Sequence, residues 1–310
     1  MPSPVNSGQA IELTAQWALW GADAADSTYR VLASSAGDLT AWDFEDIVGR
    51  YAVGTPDRLP QYTVFWVPDG KGSPCFVGIT FHEYASFASR DDRSRYDAAD
   101  REITYSRLFC VRYADLAEHG VTLTDLLSAA ERQLLPTDKG GPVTLRITQE
   151  PVLWSPPRPA AVPPDLAEVV AALLLTSRPI CVLGADEMPA VDRLTFVDRV
   201  LSLLPYGLRA TMSAATWASP TARDLKLRLF FASARRDDST GTHHVQWGQR
   251  GWGTETPPDS DVVRQYLAWL RNAGARATQL LEEETAPTRF SEADLHPLFS
   301  RLTGAPGAGQ

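Results

Sequence analysis

Six prolines fall within the fifteen residues PVLWSPPRPAAVPPD, Pro151 to Asp165, and no other segment limits the fold as strongly. Proline lacks a backbone N–H and has a fixed φ, so such a run neither joins a β-ladder nor continues a helix. It extends as a stiff connector. Upstream, β-type runs dominate; downstream, helical and strand patterns alternate. The pattern predicts an α/β chain in several parts. These are an α+β N-terminal domain with a mainly antiparallel sheet (residues 1–150), a linker (151–165), an α/β middle domain (166–255), a helical tail (256–303) and a frayed end (304–310). A length of 310 residues agrees with more than one core.

In the first part, IELTAQWALW and YRVLASSA have strand composition, and TAWDFEDIVGRY follows as a helix with Thr40 as N-cap. QYTVFWVP and CFVGITFHE, split by DGKGSP, form the clearest hairpin signal in the chain. A polar loop, SRDDRSRYDAADRE, leads to another strand, ITYSRLFCVRY. A short helix then breaks at Gly120, and a longer one is capped by Thr122 or Thr124 and ended by Pro136. GPVTLRIT is the last strand. Beyond the linker, DLAEVVAALLLT reads as a helix capped by Asp165. PICVLGA, TMSAATW and LKLRLFFASA read as strands, with HHVQWG as a further one. The tail begins with a helix capped by Ser260 and stopped at Gly274.

The strongest single pattern is VDRLTFVDRVLSLLPYGLRATMSAATW, Val191 to Trp217. Leu194, Val197, Val200, Leu201 and Leu204 make one apolar stripe, while Arg193, Asp198, Arg199 and Ser202 lie off it. Pro205 and Gly207 end the helix. A helix docked on a sheet accounts for every residue, with Tyr206, Arg209 and Trp217 as candidates for contact with a partner.

Recognisable reaction chemistry is missing. FHEY at 81–84 resembles half of a zinc-protease motif, but position 86 is Ser where a second His is required. His243 and His244 are adjacent, so on a strand they point to opposite faces. DGKGSP and DKGG lack the glycine spacing and the Ser or Thr of a phosphate-binding loop. Cys75, Cys110 and Cys181 sit in apolar runs at no metal or disulfide spacing. The acidic loop at 91–102 interleaves Asp with Arg and reads as a self-paired surface. No catalytic residue, metal ligand or cofactor is therefore assigned. A net charge of −9 disfavours a nucleic-acid partner. The greasiest run, Leu166 to Leu175, contains Glu168 and is about half the length of a membrane span. The first basic residue is Arg30, so the N-terminal stretch lacks the charged start of a secretory signal, and cytoplasmic residence is expected.

Among the tryptophans, Trp17, Trp20, Trp42, Trp66 and Trp154 border apolar runs and are expected in the core. Trp247 and Trp252 flank the polar GQRG. With Arg250 they suit either a protein interface or packing within the domain.

YRVLASSAGDL, YTVFWVPDGKGSPCFVGI, SRLFCVRYADLAEHGVTLTDLLSAA, VAALLLTSRPICVLGAD and DRLTFVDRVLSLLPYGLRATMSAATW occur in that order. In this the chain resembles the bacterial GTPase-associated proteins, a family frequent in actinobacteria, over roughly residues 10–250. The resemblance implies an adaptor or scaffold beside a GTPase or other NTPase-system protein, and carries over no catalytic motif. Two other readings stand beside it: a small-molecule or nucleotide sensor with a cleft between the domains, and a hydrolase whose residues are scattered.

Overall fold

The computed structural model describes residues 10–22, 28–51, 53, 58–68, 74–84, 103–136, 140–148, 164–219, 226–235, 241–248 and 261–303. Expectations for the 69–73 turn, the 85–102 loop, Trp154, Arg250, Trp252, Ser260 and the side chain of Cys75 lie outside the described residues.

The chain begins with β1 (Ile11–Ala22), β2 (Tyr29–Ser34), α1 (Ala41–Arg50), β3 (Gln61–Pro68), β4 (Pro74–Tyr84) and β5 (Thr104–Arg112). α2 (Tyr113–His119), α3 (Leu123–Glu131) and β6 (Val143–Ile147) complete the part before the prolines. After them come α4 (Pro164–Leu174), β7 (Ile180–Leu183), α5 (Ala190–Ser202), a 3₁₀ turn (Tyr206–Thr211) and β8 (Ala214–Ala215). β9 (Leu229–Ala232), β10 (His243–Gln246), α6 (Asp261–Ala273), α7 (Ala275–Glu283) and α8 (Glu292–Thr303) follow.

Among the described residues the strands form one mixed sheet in the order β10-β7-β9-β8-β3-β4-β5-β1-β2, with β6 also on β1. Every pairing from β3 through β6 is antiparallel, whereas β10, β7, β9 and β8 run parallel. The change falls where the sequence pattern changes, so the fold class is α/β with a large, mainly antiparallel sheet. The two kinds of sheet are stitched by two residues. Ala214 pairs with Val64 on one side and Leu229 on the other, and Ala215 with Thr63 and Phe230. The small side chains of SAATW are thus the seam.

Alternation along each strand sends residues to two faces. Trp17, Val64, Ile79, Phe109, Val182 and Phe231 enter one buried cluster with residues of α2 to α8. Ala18, Phe65, Phe76, Leu108, Cys181 and Phe230 enter another, beneath Phe44 and Ile47 of α1. The apolar stripe of α5 is fully used: Leu194, Val197, Val200, Leu201 and Leu204 are all 1% exposed or less. Burial on that scale contributes roughly 1.5–3 kcal/mol per large side chain.

Several local expectations are corrected. Thr122, not Thr124, caps α3, through a reciprocal box with Asp125. α3 ends at Glu131 rather than at Pro136, because Gln133 closes a tight turn onto Ala130. α4 starts at Pro164, whose missing N–H costs nothing in a first turn, so Asp165 lies inside the helix. TMSAATW is strand only at Ala214–Ala215, since the 3₁₀ turn that starts after Pro205 runs on to Thr211. Trp42 is 76% exposed, not core. It sits two positions from Phe44, about 200° around the helix from the buried face.

Candidate functional site

The cleft lies at the seam. Because β7, β8, β9 and β10 are parallel, their carboxyl ends share one edge of the sheet, and antiparallel β3 starts at that edge. Open α/β sheets bind ligands in crevices outside the carboxyl ends of their strands. Here a cleft of about 310 Å³ opens between Arg58–Tyr62, entering β3, and Asp186–Arg193, which leads from β7 into α5. Leu59, Pro60, Met188 and Val191 supply apolar wall; Arg58, Gln61, Glu187 and Arg193 supply polar groups.

A buried network lies beneath it. Thr216 Oγ1 donates to Gln61 Oε1 at 2.7 Å and accepts the Tyr62 N–H at 2.9 Å. Gln61 Nε2 donates to the Arg58 carbonyl at 2.8 Å. Arg193, only 5% exposed, donates from Nη1 to the Thr216 carbonyl at 2.7 Å and from Nη2 to the Asp186 carbonyl at 3.0 Å. Its guanidinium lies 5.8 Å from the centre of the Phe231 ring, and its Nε is buried without a hydrogen-bond partner among the described residues. Burial lowers the Arg193 pKa, partly offset by the nearby Asp186 charge. The residue was assigned to the polar side of the helix from spacing alone, and the structure buries it.

Of the sequence candidates, Tyr206 and Arg209 come together. The Arg209 guanidinium stacks 4.4 Å from the centre of the Tyr206 ring, and Arg209 Nε is buried and unpartnered among the described residues. Tyr206 is 4% exposed, and its single hydroxyl hydrogen is shared between the Leu116 and Val121 carbonyls, both at 2.8 Å. Burial pushes its pKa up to about 12. Nearby, Asp198 on α5 accepts from the backbone N–H groups of Leu123 and Thr124 and from the Thr124 hydroxyl. Desolvation raises its pKa against those hydrogen bonds and the Arg209 charge. This group ties α5 to α2 and α3. Trp217 is buried in the other cluster, and Trp247 packs edge-on to Phe196 at 5.0 Å. Neither joins the Tyr206–Arg209 pair; both serve packing.

A third polar group went unnoticed in the sequence. His82 bridges the Thr63 hydroxyl at Nε2 (3.1 Å) and the Ser106 hydroxyl at Nδ1 (2.9 Å), tying three adjacent strands. Burial depresses its pKa to about 4, so the ring is neutral at pH 7. A His–Ser contact alone is half of a nucleophilic pair, but the second ring nitrogen meets Thr63 rather than a carboxylate, and Ser106 is 4% exposed. Its chemistry is that of a satisfied polar crosslink. The signal available in the sequence was period two: Thr63, His82 and Ser106 are polar residues inside apolar strands. Burial likewise pushes the Cys110 thiol far up, which makes it inert.

Among the described residues, no group of three or more His, Cys, Asp or Glu side chains is placed to hold a metal ion. No helix there is long and apolar enough to cross a membrane. No protein-family model matches the chain, and no curated protein matches it either.

Proposed function

We propose that the chain is a ligand-responsive binding protein, a sensor for a small molecule or nucleotide. One observation carries the reading: a cleft of about 310 Å³ sits where the antiparallel and parallel parts of the sheet meet, at the carboxyl ends of the parallel strands. Its volume falls at the lower end of ordinary small-molecule sites, and its walls come from both sides of the proline segment, so occupancy bears on how the two parts are held together.

The test is thermal melting against a metabolite and nucleotide panel, with Ala190→Trp as a plug for the cleft. A true ligand at a hundred times its Kd stabilises by about 2.7 kcal/mol and raises Tm by several degrees. That rise is expected in the wild type and not in Ala190→Trp. If no compound shifts the wild type, or the plug leaves the shift intact, the reading fails.

A second reading, the adaptor that docks a cytoplasmic GTPase or other NTPase-system protein, has its own support in Trp42, 76% exposed on α1, and in Tyr29 and Leu32, 42% and 36% exposed on the edge strand β2. Tryptophan concentrates interface energy. A GTPase captured by the wild type in a nucleotide-dependent way, and lost on Trp42→Ala, favours it; equal capture by both proteins counts against it.

A further inference from the structure

We propose that the cleft takes an oxyanion, the phosphate group of a small organic phosphate, at the amino end of α5 over Arg193; this rests on the ligand-binding reading of the cleft. Two independent features point to negative charge at the same place. The first is the start of α5. Pro189 occupies the N-cap and offers no side chain to the first turn, and its carbonyl receives the N–H groups of Asp192 and Arg193. The N–H groups of Ala190 and Val191 precede these and have no acceptor within the helix. Both residues line the cleft. A helix of 13 residues adds a partial positive charge there, the arrangement that binds phosphate.

The second feature is Arg193. It lines the cleft and is 5% exposed. Its hydrogen-bond partners are two backbone carbonyls, and its Nε has none among the described residues. Two carbonyl dipoles and an aromatic face do not neutralise a buried guanidinium. The Asp186 charge offsets part of the cost, but among the described residues no carboxylate bonds Arg193, and a buried charge without a bonded partner is costly. An oxyanion in the cleft adds a second negative charge beside that of Asp186. Arg58 stands at the mouth as a further cation. Glu187, opposite it, pairs with Arg58 at 3.5 Å, and both side chains are largely exposed, so solvent screens the pair. Asp186 also lines the cleft, and Asp192 lies in the first turn of α5. Leu59, Pro60 and Met188 are the wall for the organic part of the ligand.

The experiment uses Val191, which lines the cleft at 43% exposure. Val191→Asp places a carboxylate at the helix amino end, where acid side chains stabilise, so the variant folds while its own charge occupies the anion position. Val191→Asn keeps the size and adds no charge. Inorganic phosphate, then pyrophosphate, is titrated calorimetrically into each protein in chloride buffer of matched ionic strength. The wild type is expected to bind saturably, Val191→Asp to weaken binding by about tenfold or more, and Val191→Asn to stay near the wild type. Equal binding by wild type and Val191→Asp overturns the assignment. If neither anion binds but a neutral compound does, and Ala190→Trp excludes it, the oxyanion class falls while the cleft reading stands. If nothing binds, both fall.

Discussion

Asp198 on α5 accepts the backbone N–H of Leu123 at 2.9 Å, 75 residues earlier in the chain. The same carboxylate takes the N–H and hydroxyl of Thr124, so a side chain from beyond the proline segment satisfies donors at the start of α3 that Thr122 and Asp125 do not reach. The amino end of α3 is completed only when the two parts of the chain meet.

Removing that acceptor strands buried donors. Asp198→Ala is expected to cost about 2–3 kcal/mol in urea unfolding. Asp198→Asn sheds the desolvated charge that raises the carboxyl pKa but keeps one acceptor oxygen, enough for either Leu123 or Thr124 and not both, so its loss is expected to be about half that of Asp198→Ala. Equal losses in the two variants would mean that a single acceptor oxygen gives α3 nothing and that both carboxylate oxygens are required.

His82 makes stability depend on pH. Its folded pKa is about 4 against an ordinary value of 6.5, because burial disfavours the charged ring. As pH drops below 6.5 the unfolded chain takes up a proton that the folded chain refuses until about pH 4. The contribution, complete above pH 6.5, is therefore lost across that window, on the order of 3 kcal/mol. The difference in unfolding free energy between wild type and His82→Gln, followed from pH 7 to pH 4, is expected to shrink by that amount. A flat difference would refute the neutral crosslink.

How far the sequence could be read follows from the same residues. Periodicity found α5 because one buried face leaves a regular trace, while the β3–β4 hairpin showed through two β-rich runs about a Gly-bearing turn, β3 being buried on both faces. It missed the fate of Arg193 and Asp198, since a charged residue off an apolar stripe looks solvated whether it meets water or another element's backbone. Only tertiary neighbours decide that, here Thr216 from the seam and Leu123 from α3. The seam itself left no periodic trace, as two residues of strand are too few for alternation to register. Nor is a cleft assembled from segments more than a hundred residues apart visible to spacing arguments.

Gly207 is where the tail docks. A Cβ there would lie 1.9 Å from the Ala286 carbonyl oxygen, and the backbone of Gly207 donates to Glu284 and accepts from Thr288. Gly207→Ala must push the 284–288 segment outward and is expected to destabilise by about 1–3 kcal/mol. Hydrogen exchange should rise at Thr288, whose N–H loses its acceptor, before it rises in β3 or β4. Unchanged protection at Thr288 would show that the segment yields without losing its register.

Trp17 and Trp42 sit in similar apolar surroundings in the sequence and differ only in which way their elements turn them. Trp17 is 0% exposed, packs in the main cluster and donates its indole N–H to the Gly141 carbonyl at 3.0 Å; Trp42 is 76% exposed on the outer side of α1. Trp17→Ala is expected to cost about 3–5 kcal/mol, while Trp42→Ala is expected to stay within about 0.5 kcal/mol. Paired urea titrations of the two variants measure this directly. A large loss on Trp42→Ala would mean that the indole packs against something within the folded protein, and would remove the main support for docking at α1.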